Sequence, residues 1–376
     1  MMTIAGIIFA NVDDYKLPEL AQRRAISSVP FGGRFRLIDF ALSNMVNSGI
    51  SSVGLITNAN YQSLVDHIGG GKDWDLARRS GGLRILPPMA TTGASSHAMP
   101  TRLGALVDNI EFVRRRNEDY FVLVDGNCVC NMDYEEMVKY HAASGNDVTI
   151  VTHPVREPSH EPGLSGSYVI ETDAAGRVTD ITDYQGEQCP LQISCQIMIL
   201  SRQMLLTMLA RATAHGLKGL YRDLLRPQLH TLRIGALLYE GYFAHFNSLP
   251  EYFAGSMALL RPEVRAALFE VKNRPILTKV RNMPPTLYGE KASVKGALVA
   301  DGCQIDGVVE NCILFRGVHV GAGAVVRNSV LMQDTYVGAG AQLNCVVTDK
   351  NVVIRDNRLL SGHESMPFFI CKNQIV

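Results

Sequence analysis

The 376-residue chain has no apolar run approaching the ~20 residues that a membrane-spanning helix needs, and it has no excess charge of either sign. Lys plus Arg and Asp plus Glu stand at 36 each. Nothing global therefore favours nucleic acid or an anionic membrane surface, and any polyanion site has to be local. The first apolar stretch, Ile4 to Ala10, lacks the basic start and cleavage site of a secretory signal, so the expected location is the cytoplasm. Eight cysteines are scattered along the chain. The one close pair, Cys128 and Cys130, has no second pair at zinc spacing, so buried free thiols and no metal site are expected.

Glycine is missing where it would count most. Ile4 to Ala10 reads as a buried strand, and in an α/β protein the loop after such a strand holds nucleotide phosphates on bare backbone N–H groups. Here that loop is Asn11-Val12-Asp13-Asp14-Tyr15, with no glycine and two carboxylates, and Lys16 at its far edge is the one cation. A carboxylate about 4 Å from a phosphate charge costs roughly 1 kcal/mol in water and about 4 at an effective dielectric of about 20. The loop argues against a nucleoside triphosphate in the usual pose.

What is present falls into two textures. Up to about residue 255, short apolar runs ("IAGIIFA", "SSVGLITN", "YFVLVDG", "DVTIVTHPV", "GSYVIETD", "QISCQIMIL", "RIGALLYEGY") alternate with the helical spacing of 36–49 and 102–116. This pattern predicts an α/β domain with a mostly parallel, doubly wound sheet. "ETDAAGRVTDI" predicts a hairpin at the sheet edge, and Gly49 a helix C-terminus. From about residue 292 the aliphatic anchors Ile305, Val320, Val337 and Ile354 recur at intervals of 15, 17 and 17. That spacing is close to the roughly 18 residues of a three-edged hexapeptide coil, and predicts a C-terminal left-handed parallel β-helix. The expected division is 1–255, a linker at 256–291 ending in "RNMPPTLYGE", and 292–376.

Several stretches taken together resemble glucose-1-phosphate adenylyltransferase (ADP-glucose pyrophosphorylase). They are "RRAISSVPFGGRFRLIDFALSNMVNSGI", "NMDYEEMVKYH", "GYFAHFNSLPEYFAGSMALL", "PPTLYG" and "DGCQIDGVVENCILFRGVHVGAGA". The resemblance covers nearly the whole chain in one order. It implies a nucleotidyltransferase-type α/β domain joined to a β-helix, assembled as a tetramer in bacterial glycogen synthesis. The family joins ATP to glucose 1-phosphate, a reaction in which a metal and cationic side chains neutralise crowded phosphates.

At the positions that the resemblance marks as catalytic, this chain departs. The family's first-loop arginine falls on Lys16, which keeps the charge without the planar fork. A phosphate-contacting lysine falls on Ile26, one metal-binding aspartate on Asn127, and the other on His245, with the preceding arginine on Ala244. No lysine of "DYQGEQCP" (183–190) replaces the sugar-phosphate lysine, and the adenine-side motif is replaced around "AMPTRLGALV". Losing one preorganised charge costs about 10²- to 10³-fold in rate. The chain therefore resembles the non-catalytic, GlgD-type regulatory branch of the family. No catalytic residue, metal or cofactor of its own is expected, with Mg expected only in a catalytic partner subunit.

The resemblance places a sugar-phosphate effector region at Arg23, Arg24, Arg36 and Lys372, and Arg34 and Arg36 beside the Gly32-Gly33 turn could hold a phosphate on their own account. Solvated or interface charges are the plainer alternative. Lys72, Arg78 and Arg79 around Trp74 form a second cationic cluster without P-loop spacing. Three rival readings stand beside the regulatory one: an active nucleotidyltransferase with Asp125 as a shifted ligand, a hexapeptide acyltransferase using His319 or His363, and a free-standing sugar-phosphate sensor.

Overall fold

The computed structural model describes residues 2–11, 14–57, 60–87, 101–156, 164 and 166–376. The N-terminal sheet is built from β1 (Ile4–Phe9), β2 (Ser52–Ile56), β3 (Gly82–Leu86), β4 (Tyr120–Asp125), β5 (Val148–Val155), β6 (Tyr168–Thr172), β7 (Val178–Asp183), β8 (Leu191–Ser201) and β9 (Ile234–Leu238). Its order is β7-β6-β8-β4-β1-β2-β3, with β5 on β8 and β9 on β5. β3, β2, β1 and β4 run parallel. The near-continuous burial of β1, β2 and β4 on both faces matches their Val/Ile/Leu content, while the edge strand β3 is only partly buried.

The other half of the sheet is less parallel than the β/α alternation predicts. β8 runs antiparallel to β4, β5 and β6, and breaks register between Ser194 and Ile197, where Gln196 has a φ of +55°. The bulge lets one long strand serve several neighbours. The expected edge hairpin forms from β6 and β7.

Helix α1 (Leu37–Asn47) ends before Gly49, whose φ of +71° favours glycine, and buries nine of its eleven residues. The helical stretch at 102–116 is two pieces, α2 (Arg102–Asp108) and α3 (Ile110–Arg114), interrupted at Asn109. Trp74 belongs to the core and lies edge-on to His67 at 5.7 Å, while Arg78 pairs with Asp75 at the surface. Within 256–291 the chain forms a helix, Pro262–Phe269, with Val264 and Leu268 buried.

Residues 287–370 wind into a left-handed parallel β-helix with three five-stranded faces. Ile305, Val320, Val337 and Ile354 stack directly above one another and are fully buried. The repeat anchors are thus successive rungs of one face. Asn and Asp at positive φ, among them Asn311, Asn328 and Asn351, turn the coils with their short polar side chains.

The two parts share one hydrophobic core. Phe31, Phe40, Phe246 and Tyr252 of the α/β part pack with Ile313, Phe315, Met332 and Val347 of the solenoid. Across the same junction Arg24 forms a buried ion pair with Asp349. No helix among the described residues is long and apolar enough to cross a membrane.

Candidate functional site: a degenerate cleft and a cationic inter-domain pocket

The parallel strands β1 and β4 end side by side at Phe9 and Asp125, and ligands of open α/β sheets sit beyond such carboxyl ends. Asp125 is buried there. Burial alone would raise its carboxyl pKa, but Arg102 and then His245 outweigh it and hold it well below the usual carboxylate range. Arg102 Nε donates to Asp125 Oδ1 at 2.8 Å, and Nη2 donates to Oδ2. His245 Nε2 lies 3.5 Å from Oδ2. His245 is fixed by a two-residue strand, Ala244–His245, paired antiparallel to Cys128–Val129.

Asn127 is also buried, and its Nδ2 has no hydrogen-bond partner. Ile26 is buried and its backbone N–H donates to Asp14 Oδ1 at 2.7 Å. The Asp14 carboxylate thereby ties the first loop to the following turn. Lys16 Nζ reaches the carbonyl of Gly166 at 3.4 Å. Asp13 and residues 98–100, which the sequence reading also invoked, lie outside the described residues.

A divalent cation of the Mg type wants charged oxygen ligands with open lone pairs. These residues do not fit it. Asp125 is held by a guanidinium, its neighbours Asn127 and His245 are an amide and an imidazole, and no group of three metal-ligating side chains occurs among the described residues. Asp125, the residue read from the sequence as a possible shifted metal ligand, is thus paired with Arg102 in this structure. Cys128, Cys130 and Cys195 are buried free thiols, and burial pushes the Cys130 thiol up to about 12.

The second site lies at the junction of the two parts. Arg34 and Arg36 come from the hairpin Pro30–Phe31/Phe35–Arg36, Arg281 from the connecting segment, and Arg316 and Lys350 from solenoid turns. These five cations line one pocket together with His67 and Gln333, and no carboxylate among the described residues lines it. Its space of about 30 Å³ exceeds the roughly 10–15 Å³ needed for a single water.

Each cation is held differently. Arg36 is buried and oriented by Ser63, with Nη1 donating to the carbonyl at 2.5 Å and to Oγ at 3.1 Å. Burial, then the charges of Arg24 and Arg281 against the pull of Asp39, lower its pKa to about 10. Arg316 is 9% exposed and its Nε has no partner. Burial and the nearby Arg34 and Arg281 lower its pKa. Lys350 is lowered to about 7 by burial, then by Arg36, Arg24 and Arg281, with Asp349 opposing. Burial and mutual repulsion thus outweigh the opposing pull of Asp39 on Arg36 and of Asp349 on Lys350, an arrangement in which an entering anion would relieve repulsion.

Of the expected effector residues, Arg34 and Arg36 are brought together in this pocket. Arg24 sits behind it, paired with Asp349, while Arg23 and Lys372 are exposed and do not line it. Arg281, Arg316, Lys350 and His67 escaped the sequence reading because they are isolated residues in unrelated segments. Arg102 was equally missed. A charged residue at the start of the apolar stretch "RLGALV" was its only signal. His319 stacks on Tyr336 at 4.7 Å, and His363 sits at an exposed turn beside Ser365.

Residues 6–183 match the nucleotidyl transferase family, and residues 285–364 match the GlmU-like C-terminal hexapeptide family. The glycogen biosynthesis protein GlgD of Bacillus subtilis is 35% identical over 373 residues, covering 98% of this chain and 96% of its own. GlgD of Geobacillus stearothermophilus is 35% identical over 323 residues, 85% of this chain and 82% of its own. The glucose-1-phosphate adenylyltransferase of Thermosipho melanesiensis is 32% identical over 327 residues, 86% and 78% respectively.

Proposed function

Because the chain belongs to the family of GlgD proteins and glucose-1-phosphate adenylyltransferases, we propose that it is a regulatory, catalytically impaired subunit in glycogen biosynthesis. It assembles with a catalytic paralogue in a hetero-oligomer, expected to be a tetramer, and raises that partner's ADP-glucose synthesis or changes its response to metabolites. The observation that carries this reading is the five-cation pocket between the two parts of the chain. Such a pocket suits a phosphorylated effector, while the positions matching the catalytic ligands hold Ile26, Asn127 and His245.

The pocket also supports a mechanism. Its walls come from both sides of the junction, so an anion that joins Arg36 to Arg316 and Lys350 has contacts that depend on how the two parts sit. Differential contacts of this kind shift a conformational population, which shared subunit interfaces would pass to the partner.

The decisive measurement is the initial rate of pyrophosphate release from ATP and glucose 1-phosphate. It is read with this chain alone, the catalytic paralogue alone, and the two co-expressed. A silent chain and a mixture faster than the paralogue are expected. Appreciable turnover by this chain alone overturns the reading. Anion binding with no effect on any partner leaves a free-standing sensor in its place.

A further inference from the structure

We propose that Arg102 is the resident cation of the degenerate cleft: its guanidinium takes the place that a divalent metal would need and closes the centre to metal. The pocket described above plays no part in this, and the inference holds whether or not an anion regulates the chain.

The argument starts from the carboxylate. Asp125 is the acidic side chain at the paired ends of β1 and β4, and it is 2% exposed. A buried carboxylate requires a compensating charge. Arg102 supplies it as a fork, with Nε 2.8 Å from Oδ1 and 3.2 Å from Oδ2, and Nη2 donating to Oδ2. His245 Nε2 approaches the same Oδ2 at 3.5 Å. Both oxygens are thus engaged by nitrogen donors, and a metal would have to displace a delocalised, always protonated group from a bidentate pair.

The position of Arg102 is itself informative. It is the first residue of α2, where Thr101 caps the helix by accepting from the Gly104 N–H at 3.1 Å. The first turn of a helix is where backbone N–H groups disfavour a cation. An arginine placed against that preference, with a side chain only 13% exposed, answers to the tertiary partner and not to the helix. Asn127 and His245 complete the picture, because neither brings the negative charge that would let a hard cation compete.

The consequence is a cleft balanced in charge without metal. A metal-bridged triphosphate has no anchor in it.

The test uses the full chain and Mn²⁺ alone, read by electron paramagnetic resonance of the free ion at neutral pH. The wild-type chain is expected to show no saturable site up to about 1 mM. Arg102→Ala, which uncovers Asp125, is expected to gain one site per chain at least about tenfold tighter than that limit. Arg102→Ala combined with Asp125→Asn is expected to lose it again. A wild-type site that disappears in Asp125→Asn overturns the proposal. So does a folded Arg102→Ala chain with no site. If Arg102→Ala does not fold, Arg102→Gln, which keeps a hydrogen-bond donor without the charge, is read by the same criteria.

Discussion

Lys350 carries the most readily testable charge in the inter-domain pocket. Its pKa is lowered to about 7 by burial and by Arg36, Arg24 and Arg281, against Asp349. Below that pH the ammonium is charged and attracts an anion; above it the attraction fades. Sulfate keeps its charge throughout, so its affinity is expected to fall several-fold between about pH 6 and 8, as isothermal titration will show. Lys350→Met should flatten that dependence. The stability effect has the opposite sense. The unfolded lysine has a pKa of about 10.4, so the unfolded chain binds more protons between about pH 7 and 10, and stability gains from this residue as pH rises through that window. Arg316 offers a companion test. Removing a charge-assisted hydrogen bond costs about 1.5–3 kcal/mol, so Arg316→Ala should weaken sulfate binding by about 10- to 150-fold. Because its Nε is unpartnered among like charges, thermal stability should hold or rise. A purely structural arginine would show the reverse.

At the scale of elements, α1 connects the pocket to the sheet. Asp39, fully buried in its first turn, accepts from the Arg36 N–H at 3.0 Å and meets His67 Nε2 at 2.6 Å. Further along α1, Asn44 Nδ2 donates to the carbonyl of Cys130, and Ser48 Oγ accepts from the Tyr134 N–H. Asp39→Ala strips a charged acceptor from both ends of this arrangement and is expected to cost about 3 kcal/mol in urea unfolding. In the solenoid, Ile305 is fully buried against Val320 in the next coil. Ile305→Ala leaves a cavity worth about 2–5 kcal/mol. These elements were legible beforehand because their cause is local. The 15- and 17-residue recurrence of Ile305, Val320, Val337 and Ile354 is visible in any reading of the chain. The break at Asn109 and the antiparallel course of β8 were not, since the same apolar runs satisfy either direction of pairing.

For the whole molecule, the shared core and the Arg24–Asp349 pair make the two parts one cooperative body. A single unfolding transition is expected by both circular dichroism and intrinsic fluorescence, whose one tryptophan, Trp74, reports only on the α/β part. Asp349→Ala leaves Arg24 buried and uncompensated, with an expected loss of about 3–5 kcal/mol. Replacing both partners by apolar residues, as in Arg24→Met with Asp349→Leu, should recover most of it. The pocket spanning the junction draws its cations from both parts, so their packing sets how far apart those charges stand.

The alternating β/α texture of the first part, the solenoid, the family resemblance and the presence of Ile26, Asn127 and His245 at the positions that the resemblance marks were all determined by the sequence alone, since each is written in contiguous residues or in a short repeat. Two features depended on tertiary structure. Arg102 and Asp125 are separated by 23 positions, and only the crossing of α2 over the end of β4 makes them a pair. Arg34, Arg36, Arg281, Arg316 and Lys350 come from across more than three hundred residues, and only the packing of the solenoid on the α/β part turns them from solvated charges into a pocket. Charge is read from a sequence one residue at a time, whereas an electrostatic site is a matter of distance and burial, which the fold alone sets.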